Sequence, residues 1–419
     1  MQLRHGGTKM ELTLKGANVY VDGHFELMDL TVNIDVPFSY SSFFTDGFVD
    51  FSGKYIFPGF ADVHVHLREP GFSYKETVKS GTQAGAAGGY TALCSMPNLK
   101  PPPDGVENLE KQLEIIRRDA EVAVLPYGTI TVGQLGQELS EMEAMSDSVC
   151  GFSDDGKGVQ NRETMKAAML KAKSLGKMIV AHCEDESLLH GGYIHDGEYA
   201  KAHGHRGICS ESEWGPIERD IELVKETGCA YHVCHISTKE SVDIIRKAKA
   251  EGVNITCETG PHYLTLCDND LQEHGRFKMN PPLRSATDRD ALIEGLIDGT
   301  IDMIATDHAP HSEEEKGRGL EKSAMGVVGL ETAFPVLYTE LVKKGVITLE
   351  KLIYLMSQSP RSRFDIDTDV GFTVYDLDAE YEVNPDNFVT MGRATPFEGK
   401  RVFGKCLMTV YNGKMVYKS

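Results

Sequence analysis

Eight short apolar runs recur through the middle of the chain, most of them separated by a stretch with helical spacing. This alternation narrows the choice of fold more than any other feature. The runs lie at 60–65, 90–95, 120–127, 149–153, 178–181, 230–234, 254–258 and 301–306. Between them, stretches at 74–87, 106–119, 162–175, 216–226, 239–251 and 288–298 carry apolar residues at helical intervals and charges on the outer face. Gly176, Gly228 and Gly252 stand where three of those helices should stop. Strand and helix in eightfold alternation predict an α/β fold, a (β/α)8 TIM-type barrel. A chain of 419 residues is too long for one small domain and suits such a barrel with a satellite.

The two ends read differently. Residues 10–56 hold short alternating segments punctuated by Gly23 and Gly53, and residues 371–419 resume that style around Gly413. The pattern predicts a small β-sandwich domain formed by both termini, with 1–57 and 365–419 as its parts and 58–364 as the barrel. Two unrelated terminal extensions are the plainer alternative. The first ten residues are polar and carry no signal-peptide pattern; Met10 could serve as a second start, leaving residues before it unstructured.

Charge limits the partners. Lys plus Arg number 43 against 63 Asp plus Glu, a net charge of -20 that disfavours nucleic acid and anionic membranes. An anionic substrate would need a local positive site. No apolar run approaches the ~20 residues of a membrane span. The nine cysteines are odd in number, without small-scaffold spacing, and several sit in apolar runs, which points to a reducing cytoplasm.

Catalytic residues of a barrel of this type gather at the C-terminal ends of its strands. There the sequence places His64 and His66, then Ser153-Asp-Asp155, His182, His235 and Asp307. His64 and His66, two apart on a strand, point to one face. A lone His near a strand end is more often a hydrogen-bonded structural group, and Asp307 alone could cap a turn. Six such residues on one rim favour a metal centre, and nitrogen with oxygen donors suits zinc. Six ligands exceed one tetrahedral ion and fit two that share a carboxylate and a hydroxide. Asp154 and Asp155 point to opposite sides if the strand continues, so only one of them should serve as that carboxylate.

The chain also carries Asp62-Val-His-Val-His-Leu-Arg-Glu-Pro-Gly71, Met96-Pro-Asn98, Phe152-Ser-Asp-Asp-Gly156 and Ala181-His-Cys-Glu-Asp185. Further on come His232-Val-Cys-His-Ile-Ser237, Lys278-Met-Asn-Pro-Pro-Leu-Arg284 and Ala305-Thr-Asp-His-Ala-Pro-His311. With these motifs the chain resembles the dihydroorotases of the amidohydrolase superfamily, in their bacterial class I form, over nearly its whole length. It departs from that family's pattern at 358–365, beside the last barrel helix.

The resemblance implies two zinc ions per subunit, one held by His64, His66 and Asp307 and the other by His182 and His235. Asp155 is the bridge it implies, because its distance from His182 matches the family better than that of Asp154. Many superfamily members bridge with a carboxylated lysine instead; residues 151–156 contain none, and Lys157 lies past the strand. The implied reaction interconverts N-carbamoyl-L-aspartate and L-dihydroorotate plus water, in pyrimidine biosynthesis, with a metal-bridging hydroxide as nucleophile and Asp307 as proton carrier.

Arg68 lies two residues beyond His66, so strand parity puts it on the same side, where a guanidinium can grip a carboxylate bidentately. In the family the residues matching Arg68, Asn98 and His311 bind the substrate carboxylate, and Asn280 contacts the ring. His262 is read as supporting rather than ligating. Segment 312–325, charged and glycine-punctuated, reads equally as a lid or a solvated loop. A homodimer and an association with aspartate transcarbamoylase are the partners considered. Rival readings are a cyclic amidohydrolase of allantoinase or dihydropyrimidinase type, and an inactive scaffold for aspartate transcarbamoylase. The complete ligand set argues against the scaffold, and Arg68 with Asn98 against the other hydrolases.

Overall fold

A computed structural model describes residues 7–37 and 47–419; the expectation for the first residues therefore lies, for 1–6, outside the described residues. Four strands open the chain: β1 (Gly7–Val21), β2 (His24–Pro37), β3 (Phe48–Asp50) and β4 (Tyr55–Pro58). Met10 lies within β1. Then come β5 (Phe60–Val65), β6 (Tyr90–Ser95), β7 (Ala123–Pro126), β8 (Met178–Ala181), the short ribbon β9 (Ile194–His195) and β10 (Gly207–Ile208), β11 (Ala230–Val233), β12 (Ile255–Thr259) and β13 (Met303–Ile304). The chain closes with β14 (Phe372–Glu382), β15 (Arg401–Tyr411) and β16 (Lys414–Lys418).

Strands β5, β6 and β7 pair in parallel, as do β8, β11, β12 and β13. Three single-residue bridges, made by two residues, close this set into a barrel. Phe152 bridges Gly128 after β7 and Ile179 in β8, and His308 bridges Val65 at the end of β5. The run at 149–153 thus occupies the fourth position, hydrogen-bonded to β7 and the residues just after it through Cys150, Gly151 and Ser153 and to β8 through Phe152. The Asp154 carboxylate explains why it goes no further. It accepts the backbone N–H groups of Ile130 and Thr131 at 2.8 and 3.1 Å and draws the chain out of strand geometry.

The barrel helices include Val78–Ala87, Val106–Asp119, Arg162–Ser174, Glu211–Thr227, Lys239–Ala250 and Ala286–Asp298. The fourth of these begins five residues before the 216 expected from sequence, so Pro216 lies inside it. Proline lacks the N–H that would bond to Ser212 O one turn back. Asp185 N–H fills that place at 2.7 Å.

Strands from both ends form one sheet in the order β2-β16-β15-β14-β4-β1-β3, and β1 also pairs with β2, so the sheet closes on itself. It wraps its own apolar core, which includes Leu12, Leu14, Ile34, Ile56, Val374 and Met408. The sheet meets the barrel through an aromatic cluster. Phe57 stacks on Tyr375 at 5.2 Å and on Phe60 at 5.8 Å, and Phe60 stacks on Phe334 at 5.5 Å. Among the described residues no helix is long and apolar enough to cross a membrane. All nine cysteines are unpaired thiols.

Candidate active site

The C-terminal ends of the barrel strands bring His64, His66, Asp155, His182, His235 and Asp307 together, and all six are buried. Asp155 is at the centre. Its Oδ1 lies 3.4 Å from His64 Nε2, 3.6 Å from His182 Nδ1 and 3.6 Å from His235 Nε2, and its Oδ2 lies 3.6 Å from His66 Nε2. Asp307 Oδ1 stands 3.1 Å from His66 Nε2 and 3.6 Å from His64 Nε2. Asp154 points away, into the N–H groups described above and the Thr131 hydroxyl.

Hydrogen bonds behind the imidazoles settle which nitrogens face inward. His64 Nδ1–H donates to Glu258 Oε1 at 2.7 Å. Asn98 donates its amide to Asp155 Oδ2 at 3.0 Å, so its Oδ1 must accept from His66 Nδ1–H at 2.8 Å. In the neutral rings the inward Nε2 atoms of both histidines are then bare lone pairs facing carboxylate oxygens, an arrangement that needs a proton or a cation between them. His182 Nδ1 and His235 Nε2 likewise lie 3.0 Å apart. His64 Nε2 and Asp155 Oδ1 are buried with no hydrogen-bond partner.

Such a cluster of acceptors calls for a cation. Donor separations of 3.0 to 3.6 Å bracket the roughly 3.3–3.4 Å edge of a tetrahedron with zinc–nitrogen bonds of about 2.05 Å. Cation-sized groupings are formed by His64, His66 and Asp307 and by His64, Asp155 and His235. His64, Cys234 and Glu258 form a third, but burial pushes the Cys234 thiol far up, which keeps it protonated and a poor ligand. Burial opposes charge on His64, yet the Asp155 and Glu258 carboxylates more than offset it and hold the imidazole well above its usual pKa, drawing positive charge to this place. Burial likewise pushes the Asp307 carboxyl up, and the neighbouring imidazoles of His66 and His64 bring it below the ordinary range. The residues present fit a divalent metal centre.

Backbone strain marks the same place. Asp307, His235 and Arg68 have φ of 47°, 31° and 62°, a region that non-glycine residues rarely enter. For Arg68 this corrects the parity argument. Strand β5 ends at Val65, and it is the left-handed turn at residue 68, not strand alternation, that sets its side chain beside His66.

A cavity of about 220 Å³ opens over the cluster, lined among others by Arg68, Asn98, Asn280, Asp307, His311 and Met325. All the expected substrate-binding residues therefore reach one space. Arg68 donates from Nε to Pro310 O at 3.1 Å, and its Nη2 lies 3.3 Å from His311 Nε2. Burial lowers the Arg68 guanidinium to about 10, still charged at neutral pH. His311 Nε2–H donates to Met325 O at 2.7 Å, and its Nδ1 accepts from Lys75 Nζ at 3.2 Å. Burial, with Arg68, Lys75 and Lys316 close by, drops His311 to about 3 and keeps it neutral. Asn280 Oδ1 is buried and unpartnered. His262, on the helix Pro261–Thr265, is also buried with a free Nε2, and burial lowers it to about 4. The segment read as lid or loop forms two short helices, Glu313–Lys316 and Gly319–Lys322.

Sequence reasoning missed Glu258. It holds His64 at 2.7 Å and His232 Nε2 at 3.1 Å, a carboxylate that orients a histidine from behind. Its signal was an acid at the end of an otherwise uncharged β12. Glu184, 3.4 Å from His182 Nε2, and Lys75 were missed as well.

Comparison with known proteins bears on this site. A family model described as dihydro-orotase-like matches residues 53–241. A dihydroorotase of Fusobacterium nucleatum is 47% identical over 424 residues, covering 97% of this chain and 98% of the relative. One from Bacillus cytotoxicus is 48% identical over 379 residues, covering 88% and 89%. Among solved structures, an L-hydantoinase (dihydropyrimidinase) from Arthrobacter aurescens superposes with a TM-score of 0.84 at 25% identity, over 98% of this chain and 96% of that one. A dihydropyrimidinase from Brevibacillus agri gives 0.82 at 22% identity, over 98% and 95%, a likeness of fold.

Proposed function

This chain belongs to the dihydroorotase family of cyclic amide hydrolases, and from that premise we propose that it interconverts N-carbamoyl-L-aspartate and (S)-dihydroorotate plus water in pyrimidine biosynthesis. The observation that carries the reading is the placement of the buried Arg68 guanidinium in the same cavity as the carboxylates Asp155 and Asp307. A ring that bears a carboxylate finds its counter-charge there, despite the negative charge of the chain as a whole.

His64, His66 and Asp307 would hold one zinc ion, His182 and His235 a second, with Asp155 between them. When bound, such a pair lowers the pKa of water and polarises an amide carbonyl. The chain's own groups do the rest. Arg68 grips the substrate carboxylate, with Asn98 and His311 beside it each exchanging a present hydrogen bond to join in, and Asn280, with a free amide oxygen, contacts the ring. In hydrolysis the water oxygen bonds to the ring amide carbon and the carbon–nitrogen bond breaks. Asp307 takes a proton from that water on a carboxylate oxygen and gives it to the departing ring nitrogen. Its lowered pKa keeps it ionised and ready to accept at neutral pH.

The unpaired thiols support a cytoplasmic setting. A homodimer and an association with aspartate transcarbamoylase, whose product would be this enzyme's substrate, are the proposed partners; sedimentation of the chain alone and mixed with that enzyme tests both. The reaction itself is tested by assaying dihydroorotate beside allantoin and dihydrouracil. Dihydroorotate should be turned over with the highest kcat/KM, and a preference for either of the others defeats the proposal.

A further inference from the structure

Lys316 is buried to within 5% of full enclosure, yet it points neither at the metal-binding residues nor at a carboxylate. Its ammonium donates to three backbone carbonyls, those of Lys278 at 3.0 Å, Ala324 at 2.7 Å and Gly326 at 2.7 Å. A lysine can do this because it offers three donors on a compact point charge. The surrounding chain is folded about it. Ser312 caps the short helix that carries it, Ser323 Oγ donates to Lys316 O at 2.9 Å, and Gly326 N–H reaches the same Lys278 carbonyl at 3.0 Å.

Its position fixes one wall of the cavity. Met325 and Gly326 both line it. Met325 O accepts a hydrogen bond from His311 Nε2–H at 2.7 Å, and the His311 ring stands 3.3 Å from Arg68 Nη2. Gly326, with φ of 130°, lies so near that a Cβ there would meet Ala309 O at 2.7 Å and His311 Nε2 at 3.1 Å. A shift of the 324–326 backbone must therefore move His311, and His311 borders the guanidinium. We propose that Lys316 is a positioning residue which, through the Met325–Gly326 backbone and His311, sets the place of Arg68 and so the preference for a carboxylate-bearing ring. This rests on the reading that Arg68 and His311 receive the substrate carboxylate.

The test compares the unaltered enzyme with Lys316→Met, which removes charge and donors, and Lys316→Gln, which keeps two donors and carries the test if the first variant fails to fold. Each folded variant is assayed on dihydroorotate and on dihydrouracil, the same ring without the carboxylate. KM for dihydroorotate should rise at least tenfold with Met and less with Gln, within the roughly 10²-fold that a misplacement of about 1 Å costs. The ratio of kcat/KM values for the two substrates should fall about tenfold. An unchanged KM, or equal losses on both substrates, overturns the proposal, since general loosening of the barrel would not discriminate. An unaltered enzyme inert towards dihydroorotate defeats instead the function it rests on.

Discussion

The two halves of the cavity are built on opposite terms. On the barrel side, His64, His66, His182 and His235 converge on Asp155 from the ends of strands, and two inward atoms there, His64 Nε2 and Asp155 Oδ1, have no hydrogen-bond partner. On the loop side, His311, Lys316 and the 324–326 backbone bind one another, and Arg68 is tied to Pro310. Unsatisfied buried donors and acceptors cost free energy, so a site that keeps them is shaped for something to be added. A satisfied wall is shaped to hold still. On the proposed function, the contrast separates a half suited to holding ions from a half suited to selecting substrate.

Removing the proton carrier should have the largest effect. Asp307→Ala is expected to fold and to lose turnover by roughly 10³- to 10⁴-fold. Near-normal kcat in a variant with a normal melting temperature would remove Asp307 from the chemistry. On the selecting side, Arg68→Ala should raise KM for dihydroorotate by about 10- to 100-fold, the worth of a charge-assisted hydrogen bond. Metal content should stay unchanged. Loss of metal in that variant would erase the division between the halves.

Behind the ion-binding half, Glu258→Gln weakens the hold on His64 and should lower metal affinity by about 10- to 100-fold, with little change in KM once metal is saturating. Competition against a chelator measures this, and equal affinities would reduce Glu258 to a packing role.

The smallest effect is a stability effect on the loop side. Burial pushes the Glu315 carboxyl up, but the Lys75 ammonium and the Ser312 N–H more than compensate and hold it at about 2 in place of 4.5. A folded-state pKa below the unfolded one contributes stability above pH 4.5, lost as pH falls towards about 2. Glu315→Gln should therefore melt about 1–2 °C lower at pH 7, with the gap shrinking in that acid window. A gap that widens there would reverse the sign assigned to the pair.

The ion-binding half was the more legible in sequence. Its residues sit at the ends of apolar runs, where position in a barrel fixes direction, and the alternation of strand and helix yields the barrel itself. Asp155 could be favoured over Asp154, and the turn at 154 that breaks the fourth strand gives the physical reason. The selecting half was legible only in its residue types. Arg68 was placed by a parity rule that fails once β5 ends at Val65. Lys316 looked like one more charge in an acidic loop, because its three partners are backbone carbonyls with no side-chain signature. Glu258 was hidden for a related reason, since its partners, His64 and His232, lie far away in sequence.

Metal analysis of the purified chain, taken with turnover of dihydroorotate before and after chelation, reaches the central claim most directly. Close to two zinc ions per chain are expected, with activity lost on their removal and restored on their return. Full turnover by a chain stripped of metal would contradict the account.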